Sequence, residues 1–395
     1  MKKFFLLLLC WTLLLSACGQ PTAEEPMEEP LVVDETAPIQ WQDPALEALV
    51  REVLGKPEGE IYPTDLDHIW GVELWGDQHL FFNGEGGSEM YVDADGRYQE
   101  VRDPVENRVI ASSTELFLFP RDKEPRGNYL RNGAYTVNGE TFNRGAISSL
   151  ADFANFRNLR YLYVFKNDLQ DVSGLSGLDE LVELYLIDDN LQEVEALSNL
   201  PHMEALTLSA NFLEDISPLF QLTQLTNLVV RDNEIRSLEG IGALENLTKL
   251  NIANNHVDSL EPVADLPHLD GLVVSTNPIE DLEPIAGLTN LKKLYLAETQ
   301  VRDLTPIQTL TSLAAIVLTD LQVDRIDFAP LAVLPNLNSL VVGQSQAEIV
   351  NLRSLAEIPG LKTGRGQLDL VPSENIPAED IAYLRKELPG CAFYL

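Results

Sequence analysis

Five histidines, His68, His79, His202, His256 and His268, are the side chains best suited to moving a proton or holding a metal, and they are scattered along the chain. No H-E-x-x-H, C-x-x-C or G-x-S-x-G spacing supplies any of them with a partner. His202 and His268 follow Pro201 and Pro267 at equivalent places in a repeat, so their recurrence is structural. Asp93-Ala94-Asp95-Gly96 invites a calcium-loop reading, but an EF-hand register would put Tyr91 first and Arg102 twelfth, where carboxylates are required. A hairpin turn at Asp95-Gly96 explains that segment better. With 62 Asp and Glu, carboxylates are too abundant for one pair to stand out as acid and base. The expectation is a non-enzymatic chain with no cofactor and no metal. An active site hidden in the segment 70–135 is the reading that would overturn it.

The remaining reactive group is a thiol. Lys2 and Lys3 precede an apolar run from Phe4 to Leu15, which ends in Leu15-Ser16-Ala17-Cys18. This is the layout of a signal peptide, and a run of about twelve residues is short of the roughly twenty that span a bilayer. Small residues leading directly into a cysteine resemble the bacterial lipobox. That resemblance implies removal of residues 1–17 and a diacylglyceryl thioether on Cys18, hence a lipid anchor on the extracytoplasmic face of a bacterial cell membrane. Two acyl chains anchor stably where one binds reversibly. The stretch after Cys18, including Glu24-Glu25-Pro26-Met27-Glu28-Glu29-Pro30, is acidic and proline-spaced with nothing to bury, which predicts a disordered tether over 18–40.

A formal net charge of −35, or −37 once Lys2 and Lys3 leave, argues against nucleic acid as a partner, because phosphate binding depends on clustered Lys and Arg. It also opposes adsorption to anionic lipid, leaving the acyl chains to hold the membrane. Of three cysteines, Cys10 departs with the leader, Cys18 is acylated, and Cys391 is left without an intrachain partner. Stability must then come from a continuous core, with Cys391 a buried small hydrophobe.

Periodicity shows how that core is built. Leu159, Leu181, Met203, Leu225, Leu247, Leu269, Leu291 and Leu313 fall every 22 residues, and most open the pattern L-x-x-L-x-L-x-x-N-x-[ILV]. The L-x-L alternation, as at Leu250 and Ile252, predicts a short strand with one apolar face, which must stack on its neighbours to bury that face. Asn167, Asn211, Asn233, Asn255 and Asn277 fall where the chain leaves the strand, and their amides can satisfy backbone groups that would otherwise be buried unpaired. Asp189, Thr299, Leu321 and Ser345 replace the Asn in other copies. Prolines such as Pro218 and Pro262 in the rest of each copy suit a tight turn and a 3₁₀ segment.

With Asp215-Ile-Ser-Pro-Leu219, Asp281-Leu-Glu-Pro-Ile285 and Asp303-Leu-Thr-Pro-Ile307, the repeats resemble those of the bacterial internalin family over about residues 137–370. The resemblance implies a leucine-rich-repeat solenoid: a parallel sheet on the concave face, 3₁₀ and turn segments on the convex face, and a concave surface that binds a protein. The chain departs from the family in lacking an LPxTG sorting signal, so invasion of host cells is not implied.

A solenoid exposes apolar ends that need caps. Pro44 to Leu54 places Leu46, Leu49, Val50, Val53 and Leu54 on one helical face, and Ile376 to Cys391 reads as an amphipathic helix closed by Pro389-Gly390. Between Trp70 and Tyr135, short runs such as His79–Phe82, Glu89–Val92 and Glu115–Phe119 suggest small hairpins. Residues 41–136 are therefore read as a helical cap plus a β-rich insert, with 371–395 as the C-terminal helical cap.

On the strands, the residues between the core leucines point outward. In the first full copies they are Tyr161, Tyr163 and Phe165, then Glu183, Tyr185 and Ile187, which would form one aromatic and aliphatic patch. Further along, the middle position carries Val229, Asn251, Val273, Tyr295, Val317 and Val341, with Arg231, Lys249 and Lys293 as a polar rim. The candidate ligand-binding residues are Tyr161, Tyr163, Phe165, Tyr185, Ile187 and Tyr295. Two readings of the first patch stand: an exposed binding surface, or core covered by the N-terminal insert. The functional expectation is a monomeric, surface-exposed lipoprotein that binds a protein partner, the rival being a structural or glycan-binding scaffold in the producing cell's own envelope.

Overall fold

In the computed structural model, the described residues are 33–75, 78–83, 89–92, 98–101, 135–137, 140–142, 144–343, 347–364, 366–370 and 376–394. Cys18, most of the tether, the Asp95-Gly96 turn, Glu115–Phe119 and Ser345 lie outside them. Each copy of the repeat contributes one strand and one 3₁₀ turn. The strands are β7 (Tyr161–Phe165), β8 (Glu183–Ile187), β9 (Ala205–Thr207), β10 (Asn227–Val229), β11 (Lys249–Asn251), β12 (Gly271–Val273), β13 (Lys293–Tyr295), β14 (Ala315–Thr319), β16 (Ser339–Gly343) and β18 (Gln367–Leu370). All pair in parallel. From Leu162 to Ile316 the register advances 22 residues per strand, and it then widens to 24 at Leu340 and 28 at Leu368. The extra residues of the wider copies form β15 (Arg325–Asp327) and β17 (Glu348–Val350), a second small parallel pair.

The core fills the space between this sheet and the 3₁₀ segments. Every leucine that opens a repeat, and Met203 in the same place, is fully buried. The D-[IL]-x-P-[LIV] signature has a local cause. Asp215, Asp281 and Asp303 each accept the backbone N–H two residues on, at 2.8 to 2.9 Å. The proline that follows sits in the first turn of its 3₁₀ segment, where no donor is missed. The Thr305 hydroxyl and N–H hold the Asp303 carboxyl below the usual carboxylate range.

On the strand-exit side the asparagines form a ladder. Asn233 accepts the N–H of Leu213 in the previous copy at 3.1 Å and donates to the carbonyls of Leu208, Val230 and Arg231 at 2.9 to 3.1 Å. Asn255 and Asn277 repeat all four bonds. The residue before each rung has φ between 50° and 60°, from Lys166 through Asp188, Ala210, Asp232, Asn254, Thr276 and Glu298 to Asp320. Left-handed backbone is thus built into each copy from β7 to β14, whatever residue occupies it.

Both ends carry features the repeat pattern does not announce. Helix α1 (Pro44–Leu54) buries Leu46 and Val50, as expected. It is stitched to the first copy by two buried carboxylates: Asp43 caps the helix through the N–H groups of Ala45 and Leu46 and also accepts from Ser148 and Ser149, while Asp152 accepts from Gln42 and Asp43. β1 (Ile69–Trp75) joins the long sheet as the parallel neighbour of β7, and β2 (Gln78–Asn83) lies antiparallel beyond it. The remaining described pairs, β3 (Glu89–Val92) with β4 (Tyr98–Val101) and β5 (Tyr135–Val137) with β6 (Glu140–Phe142), are antiparallel. At the other end, helix α2 (Ala378–Glu387) is followed by β19 (Ala392–Tyr394), which pairs in parallel with β18 and makes thirteen strands in all. Cys391 is half-buried against the core, and burial pushes its thiol up.

Candidate binding face

The face of the sheet turned away from the core carries three columns of side chains, set by the strand register. The first runs Tyr161, Glu183, Ala205, Asn227, Lys249, Gly271, Lys293, Ala315 and Ser339. The middle column runs Glu73, Tyr163, Tyr185, Thr207, Val229, Asn251, Val273, Tyr295, Val317 and Val341. Phe165 and Ile187 begin the third.

Burial divides this face in two. At the N-terminal end Tyr161 and Tyr163 are half-buried, as is Ile187, but Phe165 and Tyr185 are only 4% and 3% exposed. The expectation that Phe165 and Tyr185 present themselves to a ligand is therefore corrected. Tyr185 is flanked by two rings, stacking on Tyr163 with centroids 5.5 Å apart and lying 5.9 Å from Tyr161. Phe165 is hemmed in by Ile187 on one strand and the end of β1 on the other. The Tyr161 hydroxyl donates to Glu73, itself buried, at 3.1 Å. This cluster fastens β1 to the repeats, so tyrosines that read as a hot spot serve in part as packing. Burial continues through Thr207, Val229, Asn251 and Val273.

From β13 onward the same column opens. Tyr295, Val317 and Val341 are half-buried, and burial pushes the Tyr295 phenol up. Beside them Lys249, Lys292 and Lys293 lie close together, with Asp270 acting on Lys249 and accepting from Lys292 at 3.2 Å. Burial lowers the Lys249 ammonium, Asp270 partly restores it, and Lys293 and Lys292 lower it further. A positive cluster thus stands on a strongly acidic chain. Lys249 and Lys293 were legible from the strand pattern; Lys292 and the place of Asp270 among them were not. Among the described residues no group of His, Cys, Asp or Glu could hold a metal ion, and no helix is long and apolar enough to cross a membrane.

One rung of the asparagine ladder is chemically different. Asp189 is fully buried, and its Oδ1 accepts the Asn167 N–H at 2.7 Å, as Asn211 Oδ1 accepts from Asp189 at 3.1 Å. Its Oδ2 then falls where the neighbouring rungs carry an NH₂ group, and it has no partner. Burial holds this carboxyl well above the usual carboxylate range, with Asp188 adding to the effect and the Asn167 N–H, Arg144 and the Ile187 backbone opposing it.

Comparison with known proteins agrees with this geometry. The leucine-rich-repeat family model matches in two copies, at residues 223–265 and 245–287. No curated protein sequence matches the chain. Among solved structures, internalin C2 of Listeria monocytogenes is 22% identical with a TM-score of 0.50, covering 73% of this chain and 98% of that one. A second Listeria internalin, InlF, is 21% identical with a TM-score of 0.49, covering 85% of this chain and 96% of that one. A leucine-rich-repeat protein of Leptospira interrogans is 18% identical over 64% of this chain and 83% of that one, with a TM-score of 0.39. The chain carries leucine-rich repeats and folds as an internalin-like solenoid.

Proposed function

We propose that this chain is a lipid-anchored, extracytoplasmic recognition protein that binds a protein partner on the concave face of its sheet, toward the C-terminal half. The observation that carries the reading is the half-buried row Tyr295, Val317 and Val341 beside the Lys249, Lys292 and Lys293 cluster. An apolar strip with a charged border is the anatomy of an interface, and a partly buried tyrosine is a favoured anchor within one. The ten repeat strands at about 4.8 Å spacing span roughly 45 Å of the sheet, long enough for an extended or globular partner. The anchor rests on Cys18 and its preceding Leu15-Ser16-Ala17, and the partner is engaged without catalysis.

A photo-crosslinking amino acid at position 295, in cells of the producing organism, tests this directly. It should yield one discrete protein adduct, whereas the same group at Glu261, exposed on a 3₁₀ segment away from the sheet, should yield none. Identical adduct patterns from the two positions, or none from 295, would sink the concave-face reading. Cys18→Ser should release the chain from membranes, and continued tight retention would remove the anchor from the proposal.

A further inference from the structure

Arg160 stands immediately before β7, on a chain where 62 acidic side chains outnumber 27 Lys and Arg, so its guanidinium should find a carboxylate easily. Among the described residues it pairs with none. The side chain is half-buried, and its Nε is shut off from solvent without a hydrogen-bond partner. A charged donor left unbonded at that depth is costly, so an acceptor arriving from outside the chain would be held well.

Arg160 borders a cleft. Arg160, Val182 and Glu204 hold the same place in three successive copies. The Val182 N–H donates to the Arg160 carbonyl at 2.9 Å, and the Glu204 N–H to the Val182 carbonyl at 2.8 Å. With Glu180, His202 and Gln224, from the turns that lead into β8, β9 and β10, they line a half-open space of about 270 Å³. It lies at the strand-entry rim, outside the three columns of the sheet face.

The charges of this cleft are divided. Arg160, in the first copy, is its positive end. Glu180, in the second, is exposed and pairs with no cation among the described residues, and Glu204, in the third, is half-buried. Val182 lies between them, half-buried, as an apolar floor. The second and third copies stand about 5 and 10 Å from the first. A ligand that satisfies both ends therefore carries an anion and a cation roughly 7 Å apart on an apolar stem.

We propose that this cleft binds the C-terminal lysine of a peptide. The terminal carboxylate accepts from the Arg160 guanidinium, whose planar fork matches its geometry. The methylene stem lies over Val182, and the ε-ammonium sits between Glu180 and Glu204, with His202 and Gln224 at the border. An extended lysine separates its carboxylate carbon from Nζ by about 7 Å, which suits the spacing of the two ends. The free amino acid is a poorer match, because its α-ammonium would stand beside Arg160, where a peptide presents an uncharged amide. An acidic C-terminal residue is turned away by the two glutamates.

Saturation-transfer NMR on the full chain tests this, with Nα-acetyl-lysine as the probe. Wild type should bind it more tightly than free lysine. Nα-acetyl-lysinamide, which lacks the carboxylate, and Nα-acetyl-norleucine, which lacks the ammonium, should bind far more weakly. Arg160→Gln and Glu180→Gln should each weaken binding by about fivefold or more, and added salt should weaken it in wild type. Urea midpoints of both variants should stay near that of wild type, because neither side chain gives up an ionic partner within the chain. If Arg160→Gln proves unstable, the exposed Glu180 carries the test. No binding of Nα-acetyl-lysine, equal binding of either control, or full affinity in a folded variant overturns the proposal. Tighter binding of free lysine overturns the peptide terminus in favour of the amino acid. The site is separate from the concave-face row, so the crosslink at position 295 stands or falls independently.

Discussion

Asp189→Asn should stabilise the protein, by an amount that grows with pH. The carboxyl is fully buried, accepts one N–H through Oδ1, and leaves Oδ2 unpartnered where every intact rung presents an NH₂ to backbone carbonyls. A proton on Oδ2 would restore a donor at that place, consistent with burial holding the group well above the usual carboxylate range. Below about pH 4 the side chain is neutral in both the folded and the unfolded chain, so titration costs nothing. Above that, the unfolded chain ionises freely while the folded one keeps its proton. Stability is therefore lost as pH rises toward the folded pKa, by about a factor of ten in the folding equilibrium for each pH unit. Asn cannot titrate and escapes this loss, and its NH₂ group adds bonds worth on the order of 1 kcal/mol at any pH. The charges that act on it are those of Asp188 and Arg144, which pair with each other at 2.9 Å. They are present in both proteins, so they and the remaining carboxylates cancel in the difference. Urea unfolding of wild type and Asp189→Asn, followed by far-ultraviolet circular dichroism from pH 4 to 8, reads it directly. A constant offset between the two midpoints at every pH would refute the reasoning, since it would mean that Asp189 is ionised in the fold.

Other expectations follow from positions where the chain is constrained. Thr276, a β-branched residue at φ 57°, should become more stable by about 1 kcal/mol as Asn, the residue that holds the same conformation at position 254; no gain in urea midpoint would count against backbone strain there. Gly174→Ala should cost roughly 3 kcal/mol, because a Cβ would lie 2.2 Å from the carbonyl oxygens of Leu150 and Ala151, and an unchanged melting temperature would show that those backbones yield freely. Asp43→Ala removes the acceptor for four backbone N–H groups and should cost about 2 to 4 kcal/mol, with amide exchange rising first in α1 and around Ser148; uniform exchange would argue against a local stitch. Tyr185→Ser should destabilise by about 3 kcal/mol, whereas Tyr295→Ser should cost about 1 kcal/mol or less, and equal losses would undo the division of the face into packed and open halves.

The solenoid was legible because its physics is local. Each copy buries its leucines only against the copies beside it, so Leu250 and Leu272 need nothing from distant sequence, and the spacing alone predicts their register. The asparagine rungs and the Asp-x-x-Pro turns are legible for the same reason, since their bonds reach no farther than the adjacent copy. The ends are different. β1 pairs with β7 across some ninety residues, and β19 follows a helix that looked like the end of the chain's structure, so neither carries a repeat to betray it. Nor does strand alternation distinguish Tyr185, packed between two other tyrosines, from Tyr295, which is half open: both point outward, and only their neighbours in space differ.

Asn227 and Asn233 bring the distinction to a single residue type. Asn233 is in phase with a ladder whose bonds the repeat dictates, and its replacement in other copies by Asp189, Thr299 or Leu321 shows how far that rung can be varied while the copies still stack. Asn227 is out of phase with every backbone need, occupying a column that holds Tyr, Glu, Ala, Lys and Gly in adjacent copies. The repeat sets no residue type there, and what each side chain in that column meets is decided by its neighbours in space: Tyr161 donates to Glu73 at 3.1 Å, whereas the Asn227 amide meets no partner. A buried polar group in a repeat is structural when the repeat explains its partners; where the repeat supplies none, as at Asn227, the cost of the unbonded amide must be offset by the packing around it.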